Sequence, residues 1–368
     1  MNKETSIYLD LIRFTAAIAV FVGHVSGERL TGGLFWQVGP YGPEAVDVFF
    51  VLSGFVIAFV HDTREHDPIT YAVSRLARIY SVALPALAAT LALDTIGRSE
   101  RPWLYSAAWH YVWNDRVPQW LHALTFTNQL WFNDLPPGSD FPFWSLGYEV
   151  WYYVIFGLAV FLPRRWRWPV VLGMLVFVGP KVAAMFPIWL MGVGAYCVFK
   201  SRTIRVPVAT IMAVGAFLLW VCYEMYVWHA GRPIYPNWIG RPPIWQDYII
   251  GTLFCIHLIG FRFVSHVPGP LLVAFRRPIR WCAGATLTLY LFHLPLSQFI
   301  AAETPWSSSA WQTRMMVFVG VPLTAFAISM ATERRKNLWR RGFDRLLRGI
   351  RHRWLPQSST QAQSTVQY

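Results

Sequence analysis

The sequence predicts an all-α polytopic membrane protein with about ten transmembrane helices and both termini on the cytoplasmic side. Three observations carry that expectation. Of 368 residues, 55% are hydrophobic and only 14% are charged, against about a quarter charged in an ordinary soluble domain. The apolar residues gather in stretches close to the ~20 residues that a helix needs to cross hydrocarbon. The basic residues between those stretches alternate between dense and sparse, the asymmetry that sets membrane orientation. This composition excludes a disordered chain, a coiled coil, a small disulfide scaffold and a water-soluble enzyme. A net charge of +13 would suggest nucleic-acid binding on a soluble chain. Here it reads as basic cytoplasmic loops on a lipid bilayer, and no nucleic-acid partner is expected.

The spans follow in order. Residues 7–27 form an apolar run that holds Asp10, Arg13 and His24. No small-residue cleavage pattern follows, so this is a retained helix rather than a signal peptide. Span 45–61 begins beside Asp47, and 79–97 follows the basic pair Arg75 and Arg78. Span 143–162 opens on Phe-Trp-Ser and stops at Arg164, Arg165 and Arg167. Spans 168–180 and 182–200 share one apolar stretch, broken at Gly179-Pro180-Lys181. Spans 207–228, 244–262, 282–302 and 313–331 complete the set. Segment 333–355 is basic with Leu and Trp interspersed, as in a surface-lying cytoplasmic helix, and 356–368 is polar and expected to be disordered. Residues 1–332 thus form one transmembrane domain.

With the N-terminus inside, 23 Lys and Arg fall on inner segments, 8 on outer segments and Arg13 within a helix. That bias places 98–142 outside as amphipathic or re-entrant structure, because one crossing there would put the basic tail outside. Cys197, Cys222, Cys255 and Cys282 sit apart in apolar stretches. They show no metal-ligand spacing, so neither a metal nor a disulfide is expected.

Ionisable groups inside the membrane need a partner or a function. From Arg13 to His24 is eleven helical steps, about 20° past three full turns, so both lie on one face about 16 Å apart. Asp10 precedes Arg13 at ion-pair spacing, and such a pair could serve packing alone. Counted from the span ends, His24, Asp47 and Glu149 share one depth near the outer face. A carboxylate beside His24 would fix its tautomer and raise its basicity, as a general base requires. Arg75 and Arg78 share a helix face, as a phosphate clamp needs, although positive-inside anchoring also explains them. His293 lies near mid-membrane in the ninth span, where a packing role is equally open.

Together these residues resemble acyltransferase family 3, a group of multi-pass membrane proteins. The likeness rests on Arg13-x10-His24 and on Asp47-Val-Phe-Phe-Val-Leu-Ser53-Gly-Phe55. Arg75-Leu-Ala-Arg78-Ile-Tyr80, Trp144-Ser-Leu-Gly-Tyr-Glu149 and Tyr290-Leu-Phe-His293 follow in family order. Ser81 departs from the Pro that often follows Arg-Ile-Tyr, with Pro85 in the same stretch. The resemblance implies a ten-helix O-acyltransferase of the bacterial cytoplasmic (inner) membrane, in the stand-alone form without an esterase-like domain. It would move an acyl group, often acetyl, from acyl-CoA as co-substrate to a hydroxyl of a cell-envelope or exported glycan or glycoside. No permanent cofactor is implied. His24, Glu149 and Asp47 would be catalytic, and Arg13, Arg75 and Arg78 would bind the donor. Asp10, Ser53, Tyr290 and His293 would support the site. Direct transfer and an acyl-histidine intermediate both remain open. A transporter or flippase for a glycan or lipid-linked saccharide is the alternative from another class, with intramembrane charges lining its path.

Overall fold

The computed structural model describes residues 1–106, 116–231 and 244–354, with side chains through Ile350. Among the described residues the secondary structure is helical, with no strand. The first half runs α1 (Lys3–Val25), α2 (Glu28–Thr31), α3 (Tyr41–Thr63), α4 (Pro68–Glu100), α5 (Arg116–Leu124), α6 (Phe143–Phe161), α7 (Arg164–Val178) and α8 (Pro180–Ser201). The second runs α9 (Val206–Ala230), α10 (Ile244–Val264), α11 (Gly269–Ala274), α12 (Arg276–Ala283), α13 (Thr286–Glu303), α14 (Trp311–Met315), α15 (Val321–Ala331) and α16 (Lys336–Trp354). The tail 356–368 lies outside the described residues, as does 107–115 within the segment 98–142 expected to be external.

Seven helices are long and apolar enough to cross a membrane, or eight if α12 and α13, which meet at 54°, form one bent span. The two expected spans without such a helix are α6 and α7. α6 carries Trp144, Tyr148, Trp151, Tyr152 and Tyr153, whose polar ring atoms lower its hydropathy. α7 has 15 residues, about 22 Å of rise against a hydrocarbon core of about 30 Å. Gly179 separates it from α8 at φ +83°, where a Cβ would stand 2.5 Å from the Trp131 backbone.

The structure starts α4 eleven residues ahead of the expected span. Asp67 caps it by accepting from Thr70 N at 2.8 Å, with Pro68 in the first helical position, a start signal of helix chemistry rather than hydropathy. Arg75 and Arg78 are therefore inside the helix, not on its approach. α1 packs against α3, α12 and α13, and α4 against α13 and α16. α3 and α8 approach through glycines: a Cβ on Gly54 would lie 1.9 Å from Trp189 O, and one on Gly192 1.9 Å from Val51 O. Small residues allow such close backbone contact in lipid. α9 packs chiefly on α10 and leaves Ile211, Leu218 and Leu219 exposed, as befits a lipid-facing helix.

The described part of 98–142 is folded onto the bundle. Trp120 Nε1 donates to Leu87 O at 3.2 Å, Tyr80 OH to Leu124 O at 3.0 Å and Trp151 Nε1 to Phe126 O at 2.8 Å. Asp94, buried near the end of α4, accepts from Ser139 N at 2.7 Å and Ser139 Oγ at 2.5 Å.

Candidate active site

α1, α3, α4, α6 and α13 line a narrow, partly open cavity of about 70 Å³. Arg13, Arg75, Arg78, Glu149, Tyr153 and Ser53 line its polar part, and Phe49, Ser145 and Tyr290 line the part toward the start of α6. The antiparallel run of α4 and α6 brings these groups together: Tyr71 OH donates to Tyr153 O at 2.9 Å. Each arginine has neighbours. Arg75 Nη2 lies 2.6 Å from Glu65 Oε2, with its guanidinium 5.2 Å from the Tyr71 ring centroid. Tyr153, Glu149 and Glu333 act on Arg78. Arg13 lies 3.7 Å from Asp10, as the three-residue spacing predicts, and Arg280 reaches the other Asp10 oxygen at 3.9 Å.

Glu149 is a member of this cluster. It accepts from Ser53 Oγ at 2.6 Å and from Tyr153 OH, while Trp189 Nε1 donates to Ser53 Oγ at 3.2 Å. Such half-buried hydrogen-bonded networks restrain their members. Toward the other end, Ser145 Oγ and Tyr290 OH are 2.7 Å apart, and the Phe49 and Tyr290 rings are 5.7 Å apart.

One turn beyond Tyr290 on α13 stands His293, fully buried. Its Nδ1 lies 3.0 Å from Leu289 O, and its Nε2 lies 2.9 Å from His24 Nδ1. The two rings stack at 5.1 Å with an interplanar angle of 14°. A carbonyl oxygen only accepts, so His293 Nδ1 carries a proton. A neutral imidazole then has a bare Nε2, which accepts from His24 Nδ1–H. His24 is left with its Nε2 lone pair uncommitted to this chain of bonds, the tautomer a general base requires.

This arrangement corrects two expectations. The group that orients His24 at Nδ1 is His293, not a carboxylate. Glu149 is also not level with His24, since it lines the same cavity as Arg13, and His24 lies about 16 Å further along α1. The depth estimate assumed that span starts are aligned. In fact α6 begins deep in the bundle: Phe143 stacks on Phe126 at 5.8 Å, and Phe126 lies 5.4 Å from Tyr80, two residues beyond Arg78. Asp47 is fully buried on α3 and does not line the cavity, although Val46 and Phe49 on either side of it do.

Sequence reasoning missed Tyr153, Glu65, Glu333 and Lys336. Tyr153 had a signal, being four residues after Glu149 and so on the same helix face. Glu333 was hidden at the head of a basic tail. Its Oε2 accepts from Thr288 N at 3.1 Å and Thr288 Oγ1 at 3.2 Å.

Residues 6–334 match a family described as an acyltransferase domain, Acyl_transf_3. The exopolysaccharide production protein ExoZ of Rhizobium meliloti (strain 1021) is 30% identical over 149 residues, covering 39% of this chain and 43% of that protein. The acyltransferase MdmB of Streptomyces mycarofaciens is 30% identical over 190 residues, covering 48% of this chain and 46% of that protein. The chain thus spans less than half the length of each of these relatives. No solved structure matches significantly.

Proposed function

The chain belongs to acyltransferase family 3, and on that premise we propose that it is a membrane O-acyltransferase using acyl-CoA, with a glycan or glycoside hydroxyl as acceptor. The observation that carries the chemistry is the Leu289–His293–His24 chain of hydrogen bonds, which presents His24 Nε2 as a base. His24 takes the acceptor hydroxyl proton as that oxygen forms a bond to the thioester carbonyl carbon. The C–S bond then breaks, and the proton on His24 passes to the leaving CoA sulfur, giving free thiol and an O-acyl ester. Arg13, Arg75 and Arg78 suit the phosphates of the donor, because guanidiniums bind phosphate oxygens in paired, charge-assisted hydrogen bonds. A phosphate held near Arg13 leaves about 16 Å to His24, the interval that the pantetheine arm bridges past Tyr290 and Phe49. The glycan acceptor is supported by the exopolysaccharide relative. Tyr290 and Ser145 form the boundary between the donor cavity and the histidine pair, while Asp10 and Ser53 hold Arg13 and Glu149. With the basic segments inside, the donor enters from the cytoplasm of a bacterial inner membrane.

The test is thioester consumption by the purified protein. Arg75→Ala with Arg78→Ala should weaken acetyl-CoA binding by about 1.5–3 kcal/mol, with a smaller effect on the turnover of bound donor. Unchanged affinity in a folded double variant would return the arginines to a purely topological role.

A further inference from the structure

Thr286 and Leu287 line the donor cavity, and the next residue, fully buried Thr288, binds Glu333 through its backbone N–H and its hydroxyl. Thr332 adds a contact of 3.3 Å between hydroxyls. The link after α15 is thereby pinned to the cavity wall. Three residues after Glu333 comes Lys336, the first residue of α16, exposed to solvent. The charges that act on it are Arg78, Arg13 and Arg75, which line the donor cavity, and Glu333. α16 then crosses α4, with the Phe343 ring 5.9 Å from Tyr80, so the helix holds Lys336 at this rim. Arg75 is engaged by Glu65 and Arg13 by Asp10, whereas Lys336 stands among these cations at the rim with Glu333 as its acidic neighbour.

We propose that Lys336 is the outermost cation of the donor site and binds the ribose 3′-phosphate of acyl-CoA. The proposal rests on the acyl-CoA reading above. A donor that inserts its thioester end leaves its nucleotide end at the rim, where the terminal phosphate carries the most charge. A lysine serves such a phosphate as a mobile point charge, while the fork-shaped arginines lie deeper.

The experiment measures the affinity of the full-length protein in nanodiscs for acetyl-CoA and for acetyl-dephospho-CoA, which lacks only that phosphate. Lys336→Ala should weaken acetyl-CoA about tenfold and change acetyl-dephospho-CoA by less than about twofold. Arg341→Ala, exposed on the same helix, should change neither donor beyond about twofold. Unchanged acetyl-CoA affinity in Lys336→Ala, equal weakening for both donors, or the same loss in Arg341→Ala overturns the assignment. Wild-type protein with no affinity for either donor overturns the acyl-CoA reading itself.

Discussion

His293 can be removed in two ways that separate its geometry from its bulk. His293→Leu fills the space but leaves the His24 Nδ1–H, now 2.9 Å from His293 Nε2, without an acceptor. Because His24 is itself exposed, losing this hydrogen bond costs about 0.5–1.5 kcal/mol, equivalent to about 2–12-fold in an equilibrium or a rate. That penalty favours the other tautomer, or a rotated ring, in which Nε2 no longer offers its lone pair. His293→Gln keeps a side-chain carbonyl as acceptor. The Leu variant should therefore lose about 2–12-fold in turnover, while Gln recovers most of it and donor affinity stays fixed in both.

The assay is CoA thiol release per folded molecule, read beside thermal stability in detergent. Direct removal of the base sets the scale: His24→Ala and His24→Gln should each lower turnover about 10²–10⁴-fold. Full turnover in a folded His293→Leu protein would refute the tautomer argument. Near-wild-type turnover in His24→Gln would remove the base altogether.

Three further outcomes follow from burial, close packing and charge. Asp140, fully buried beside Asp94, has its carboxyl held well above its ordinary range, first by burial and then by the Asp94 charge, against a partly offsetting Phe143 N–H. A raised folded-state value means that this stability is present below the ordinary carboxyl range and lost as pH rises through the raised one. Asp140→Asn should thus unfold at a higher temperature than wild type near pH ~8, the gap closing toward ~4; parallel pH profiles would refute this. Gly54→Ala forces a Cβ to 1.9 Å from Trp189 O and should cost about 1–3 kcal/mol or more, so an unchanged melting temperature in detergent would contradict the close α3–α8 approach. A cysteine at exposed Asp134 should react with an impermeant reagent from outside, and one at exposed Ser201 should not; the reverse would invert the topology.

The local parts of this site were legible because helix geometry is regular. The shared face of Arg13 and His24, the Asp10–Arg13 pair and the shared face of Arg75 and Arg78 each need only the 3.6-residue turn and charge chemistry. The long apolar helices were legible for the same reason: hydrocarbon admits little else. Where the reading failed, the missing information was tertiary. His24 and His293 are 269 residues apart in sequence, and neither shows that the other will meet its ring. Glu149 carried a correct chemical signal, an intramembrane carboxylate needing donors. Its depth depended on how far the chain before Phe143 folds into the bundle, and hydropathy is blind to that. α4 began early because Asp67 and Pro68 mark a helix start in water as well as in lipid.

In the proposed reaction, the separation of donor clamp and base along α1 gives the fold its functional logic. A single helix has a fixed rise, so Arg13 and His24 are held about 16 Å apart whatever the loops do. Each end is then fastened by a different partner: Asp10 and Arg280 around Arg13, and His293 on α13 beside His24. α13 contributes at both levels, since Thr286 and Leu287 wall the cavity while His293 orients the base. A shift of α13 along α1 would therefore disturb donor cavity and base together. The Thr288–Glu333 bonds oppose that shift by tying α13 to the segment after α15. Glu333→Gln keeps one acceptor oxygen but loses the charge facing Arg78, so it should disturb donor affinity before it disturbs the base.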